Sequence, residues 1–219
     1  MFYFSLHPNM AKIKIEQAVI ESDLNAETKL KLAARKLFAK QGFAGTTTRD
    51  IAKEAGLNLA LLNYYFRSKE RLFELVMFES MQQFLKGIAG ILNKEELSLE
   101  QKLEQMASIY TQLFLDQPDL PLFVLSEIRK DPKQFEAHLG VKKIMMGSHF
   151  MKQLKQVAPK KINPFHFLIN TIGLCVFPFM AAPMLQIVGD LDVESYQKLL
   201  KEREKLIPVW IKMQLESTI

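Results

Sequence analysis

GTTTRDIAKEAGLNLALLNYYFRSKE, residues 45–70, holds two short helical patterns on either side of a glycine. Thr48–Ala55 and Leu59–Phe66 are each too short to persist as helices in water alone, so each must bury an inner face against a neighbour. Ile51, Ala55, Leu57, Leu62 and Tyr65 supply such a face at helical spacings, and Ala52 is small where two helices would cross. Gly56 falls where the chain must turn sharply. Asn58 is placed to cap the second helix, which would point free backbone N–H groups and a positive dipole end outward. This spacing predicts a helix-turn-helix, with Thr48–Ala55 as support and Leu59–Phe66 as the recognition helix.

Charge supports a polyanion as the partner of that segment. Residues 25–72 carry ten Lys/Arg against four Asp/Glu, whereas the rest of the 219-residue chain is close to neutral and the whole is +5. A basic segment beside a neutral body fits nucleic acid. One cysteine, Cys175, in an apolar run excludes a disulfide framework and predicts an inert buried thiol in a reducing cytoplasm.

Working outward, the periodicity is helical nearly throughout and the fold class is all-α. Asn25 caps a helix that Gly42 ends, with Leu30, Ala34, Leu37 and Phe38 on one face. Ser68 caps a long helix from Lys69 to about Leu92. Further helices are expected over 98–116, 120–130, 132–157, 163–177 and 193–216, about nine in all, with Pro208 threatening a kink in the last. Residues 162–189 carry no charge, but Pro178 and Pro183 would break a single span there, so a buried core or subunit interface is expected rather than a membrane segment. The apolar start, MFYFSLHPNM, lacks the basic beginning and length of a signal peptide, and Met10 is an alternative start.

Enzyme signals are missing. GxSxG, GxGxxG, the P-loop and HExxH do not occur, and His7, His138, His149 and His166 lack metal-ligand spacing. No catalytic residue, metal or cofactor is expected.

AARKLFAKQGFAGTTTRDIAKEAGLNLALLNYYFRSKERLF, residues 33–73, resembles the DNA-binding domain of the tetracycline-repressor family, with a likeness running from about Glu27 to Phe73. The resemblance implies an N-terminal extension over 1–24, a three-helix DNA-binding domain over 25–72, and a larger helical ligand-binding and dimerisation domain over 73–219. It implies that Thr47 and Thr48 hold a phosphate, that Arg49 reaches the backbone or a groove edge, and that Asn58, Leu59, Ala60 and Asn63 face the major groove. Tyr64 and Lys69 would touch flanking phosphates. Where the family often has Tyr, this chain has Asn63, and where it often has Lys or Arg, Leu59. The Asn63 amide could pair with adenine, and Leu59 or Ala60 could meet a thymine methyl. Phe38, Phe43, Tyr65 and Phe66 read as core.

The function so implied is a ligand-responsive regulator, a repressor binding a palindromic operator as a homodimer. The alternative is a constitutive DNA-binding protein without a small-molecule ligand. One helix-turn-helix reads few base pairs, so two half-sites are expected. Leu199, Leu200, Leu206, Ile207, Val209 and Trp210 give the last helix excess apolar surface, and Phe165, Ile169 and Ile172 are its expected dimer partners. An apolar or amphipathic effector is expected between helices carrying Phe84, Tyr110, Phe123, Met145, His149 and Thr171. Tyr110, His149 and Thr171 would be its orienting polar groups. The long helix from Lys69 would connect effector to DNA.

Overall fold

A computed structural model describes residues 25–160 and 162–216, so the expected extension over 1–24 lies outside the described residues. Among them the chain forms twelve helices and no strand. These are α1 Ala26–Gly45, α2 Thr48–Glu54, α3 Leu59–Phe66, α4 Lys69–Asn93, α5 Leu99–Asp116 and α6 Leu120–Lys130. There follow α7 Pro132–Leu139, α8 Val141–Met146, α9 His149–Val157, α10 Phe165–Met180, α11 Ala182–Gly189 and α12 Val193–Glu216. They divide into two compact units at Val76–Met77, a boundary that falls within α4.

Helix starts follow local chemistry. The side chains of Asn25, Asn58, Ser98 and Asp131 each accept the backbone N–H three residues on. Ser98 and Gln101 close a reciprocal capping box. The helix expected over 132–157 is instead three. Gly140 adopts φ 63° and ends α7, and Gly147 ends α8. Ser148 then restarts the chain by accepting the N–H of Met151 while donating to the Met145 carbonyl. α10 runs through Pro178 to Met180, past the expected end at 177, and α11, with Pro183 in its first turn, is bent from it by 76°; no single described helix is long and apolar enough to cross a membrane.

In the first unit α1, α2 and α3 enclose Leu30, Ala34, Phe38, Ile51, Ala52, Leu62 and Phe66, joined by Leu72 and Val76 of α4. Phe38 meets Phe73 edge-on at 5.0 Å, and Phe43 lies 4.8 Å from Phe73. Lys36 of α1 pairs with Glu54 of α2, and that contact holds the Glu54 carboxyl below the usual range. Gly56 does what the sequence requires of it. At φ 67° it lets the Leu57 N–H donate to Ala52 and its own N–H donate to Lys53, closing the end of α2.

In the second unit α12 packs on α5 and α10. Leu103, Met106, Ala107 and Phe114 of α5, Leu200, Ile207 and Ile211 of α12, and Phe167, Leu168 and Cys175 of α10 are buried where these helices pack. Burial pushes the Cys175 thiol up to about 12. Pro178 has no N–H, so the Leu174 carbonyl one turn earlier loses its helical donor. Arg203 of α12 donates to that carbonyl at 3.4 Å, and the Tyr196 hydroxyl donates to the Pro178 carbonyl at 2.7 Å.

A cation lies inside this unit. Lys102 is fully buried, with its ammonium 2.7 Å from His149 Nδ1 and 2.9 Å from Gln153 Oε1. Desolvation pushes its pKa below the ordinary 10.5, against the smaller opposing pull of Glu95 and Glu96. Between the lowered value and 10.5 the unfolded chain binds more protons than the folded one, so stability rises with pH across that interval. Urea unfolding at stepped pH is therefore expected to show a larger gain toward alkaline pH in the wild type than in Lys102→Met. Equal gains would place the source elsewhere.

Candidate nucleic-acid interface

The starts of α2 and α3 are exposed on the first unit. Thr47, Arg49, Asn58, Ala60, Asn63 and Tyr64 are exposed, while Thr48 and Leu59 are half-buried. Tyr64, at 78 % exposure, stands edge-on to Tyr65 with ring centroids 5.3 Å apart. Phe38 and Phe66 are buried and Phe43 is half-buried, but Tyr65 is 41 % exposed and leaves the core assigned to it. Leu62 and Phe66 take the inner face of α3, which turns position 65 outward beside Tyr64.

Thr47 is engaged within the protein. Its hydroxyl donates to Asp50 Oδ2 at 2.6 Å, its N–H donates to the same oxygen at 3.1 Å, and its Oγ1 accepts the Asp50 N–H. These bonds, the side-chain one foremost, hold the Asp50 carboxyl below its usual range. Thr48 and Arg49 follow Thr47 directly as the first residues of α2. Lys69 is also engaged, donating to the carbonyls of Phe43 and Thr46.

The turn after α3 is strained. Arg67 has φ 64° and ψ −38°, and the Ser68 N–H donates to the Phe66 carbonyl at 2.7 Å across it. Such a γ-turn geometry costs an L-residue about 1–2 kcal/mol, which glycine escapes at the expense of unfolded-state entropy. Arg67→Gly is expected to stabilise the first unit by about 0.5–1 kcal/mol in urea unfolding. A loss would mean that the arginine side chain contributes more than the strain removes.

The residues expected to line an effector site are only partly brought together. Phe84, Tyr110, Met145 and Thr171 are buried, and Phe123 and His149 half-buried. Phe84 meets Tyr110 edge-on at 4.7 Å, and burial pushes the Tyr110 hydroxyl well above its usual range, with Cys175 adding to the shift. Thr171 donates to the Phe167 carbonyl, and His149 sits on Lys102, which lies about 12 Å along α5 from Tyr110. A groove of ≈ 330 Å³ lies elsewhere, lined by Ser98, Leu99, Glu100, Leu103, Val157, Lys212, Leu215 and Glu216.

Two of the expected dimer residues face inward. Leu200 is 4 % and Ile207 2 % exposed, because that side of α12 is taken by α5 and α10 of the same chain. Leu199, Ile172 and Trp210 are half-buried, the last beneath the Arg203 guanidinium at 5.1 Å. Phe165, Ile169 and Leu206 are exposed, as are Phe177, Val209 and Met213. Met184, Ile187 and Val188 of α11 extend the exposed apolar surface, a feature readable in the charge-free run but not assigned to a face.

A short helix, a tight glycine turn and a second helix with its capped start exposed define a helix-turn-helix DNA-binding unit. Residues 32–76 match the sequence model of bacterial regulatory proteins, tetR family. The chain is 24% identical over 164 residues to the Bacillus subtilis protein named "Probable HTH-type transcriptional regulator YttP", covering 72% of this chain and 78% of that one. Its fold is similar to that of a TetR/AcrR-family transcriptional regulator from Thermobifida fusca, with TM-score 0.59 at 17% identity over 83% of this chain and 96% of that one. It is also similar to the Bacillus subtilis regulator FadR, crystallised with stearoyl-CoA, with TM-score 0.54 at 18% identity over 82% and 96%. Over residues 32–76 the chain is thus similar to the DNA-binding part of tetR-family bacterial regulatory proteins, and its fold is similar to that of whole regulators of that kind.

Proposed function

We propose that the protein is a cytoplasmic repressor that binds a palindromic operator as a homodimer and is released by an apolar or amphipathic small molecule. The observation that carries this reading is the exposed array Thr48, Arg49, Asn58, Ala60, Asn63 and Tyr64 on a basic helix-turn-helix unit. Arg49 supplies charge for the phosphate backbone, while Asn63 and Ala60 supply base-edge contacts. Tyr64, with Tyr65 beside it, flanks them. The exposed apolar residues of α10 and α12 supply the surface through which a second copy would join.

The effector part of the reading is supported by the buried aromatic group Phe84, Tyr110 and Phe114, and by the acyl-CoA bound to FadR, a protein of similar fold. Thr171 already donates its hydroxyl to the Phe167 carbonyl and His149 Nδ1 already faces Lys102, which weakens both as orienting groups. Selection from a random duplex library with the full-length protein tests the DNA reading. An enriched motif with two inverted half-sites supports it, and no enrichment removes it. Thermal shift against acyl-CoA and other amphiphiles tests the effector, since a ligand binding the folded state raises the melting temperature.

A further inference from the structure

Lys69 is the first residue of α4, but its ammonium reaches back to the connection between α1 and α2. Nζ donates to the Phe43 carbonyl at 2.9 Å and to the Thr46 carbonyl at 3.0 Å, and stands 4.1 Å from the centre of the Phe43 ring. The chain leaves helical geometry at Gly42, with φ 70° and ψ 172°, which turns these carbonyls out of the α1 ladder. Thr46 is buried, and its hydroxyl donates to the Gly42 carbonyl at 2.8 Å. Directly after it come Thr47, the cap of α2, and then Thr48 and Arg49.

We propose that Lys69 is a positioning residue for DNA binding. It clamps the α1–α2 connection so that Thr48 and Arg49 are presented at a fixed angle, and it does not itself neutralise a phosphate. This rests on the DNA-binding reading above. Two of its three N–H donors point at carbonyls, and the ring of Phe43 covers a further side of the cation. A phosphate would have to displace charge-assisted hydrogen bonds and a cation–π contact already made inside the protein. An interface residue performs best when its supporting shell is fixed before the partner arrives.

Salt dependence separates the two roles. Each phosphate neutralised by a side chain contributes about 0.9 to the slope of log K against log salt, whereas a positioning residue contributes affinity without slope. The full-length protein would be titrated with its library-selected duplex between about 50 and 200 mM salt, comparing wild type, Arg49→Ala, Lys69→Met and Lys69→Arg. Arg49→Ala is expected to lower the slope by about 0.9. Lys69→Met is expected to weaken binding about tenfold at every salt concentration with the wild-type slope, as befits lost hydrogen bonds to a charged group. Lys69→Arg is expected to recover most of the affinity, because a guanidinium can also bridge two carbonyls.

A slope lowered by about 0.9 in Lys69→Met would overturn the assignment. Should that variant not fold, the ammonium ¹⁵N resonance of Lys69 in the wild type decides. It is expected to exchange slowly in the free protein and to keep its shift when duplex is added. A signal that becomes protected only with DNA would overturn the clamp. Failure to enrich any duplex would remove the DNA reading and this role together.

Discussion

The double variant Ile169→Glu/Val209→Glu is expected to run as a monomer in light scattering at micromolar concentration, where the wild type runs as a dimer. Both side chains are 50 % exposed, on α10 and α12, helices tied together by the Asn170–Gln214 hydrogen bond at 2.9 Å. Glutamate at these positions faces solvent in a lone chain and costs its fold little. Across a two-fold interface each carboxylate meets its own image or an apolar neighbour, with no countercharge, and buried unpaired charge is strongly unfavourable. Two linked helix-turn-helix units bind two half-sites with an avidity gain of about 10²–10⁴. The monomer should lose about that factor on the full operator and little on a single half-site. A variant that stays dimeric would move the interface away from α10 and α12.

Phe38→Ala is the second large effect. Phe38 is 1 % exposed and packs edge-on against Phe73 at 5.0 Å, with Phe43 at 6.1 Å. Removing a buried phenylalanine costs about 3–5 kcal/mol. A unit of about fifty residues has only about 3–7 kcal/mol of stability to lose, on the usual per-residue scale. The first unit is therefore expected to be largely unfolded at 37 °C while residues 77–216 keep their helices. Circular dichroism should lose part of its helical signal, light scattering should still report the wild-type oligomer, and DNA binding should vanish. Retention of DNA binding near wild-type affinity would show that the ring cluster is not what holds the unit.

The parts legible in the sequence are those decided within a few residues. Caps at Asn25, Asn58, Ser68 and Ser98, the turn at Gly56 and the restart at Pro183 depend on backbone donors and φ preferences that a short window contains, whereas Pro178, expected to end its helix, is carried inside α10. The break at Gly140 was not legible, because an isolated glycine inside a helical pattern is often tolerated. Tyr65 was misplaced because three successive large residues, Tyr64 to Phe66, fit more than one rotation of a two-turn helix. Leu200 and Ile207 were misplaced for a related reason. A 24-residue helix with apolar residues on two sides does not say which side its own chain will cover, and here α5 and α10 decide.

The internal partners of Thr47 and Lys69 were hidden for another reason. Both residue types suit a phosphate, and only the folded backbone shows that Asp50 and two carbonyls already hold them.

The broken ladder of α10 binds the fate of that helix to α12. The Leu174 and Pro178 carbonyls are satisfied by side chains of Arg203 and Tyr196, so the last turns of α10 cannot stay closed once α12 has lifted away. Helices joined in this way open as one cooperative block. Amides of α10 near Pro178 should then exchange with solvent deuterium at the same free energy as the middle of α12, making the two a single kinetic barrier to proteolysis rather than a frayed end beside a stable rod.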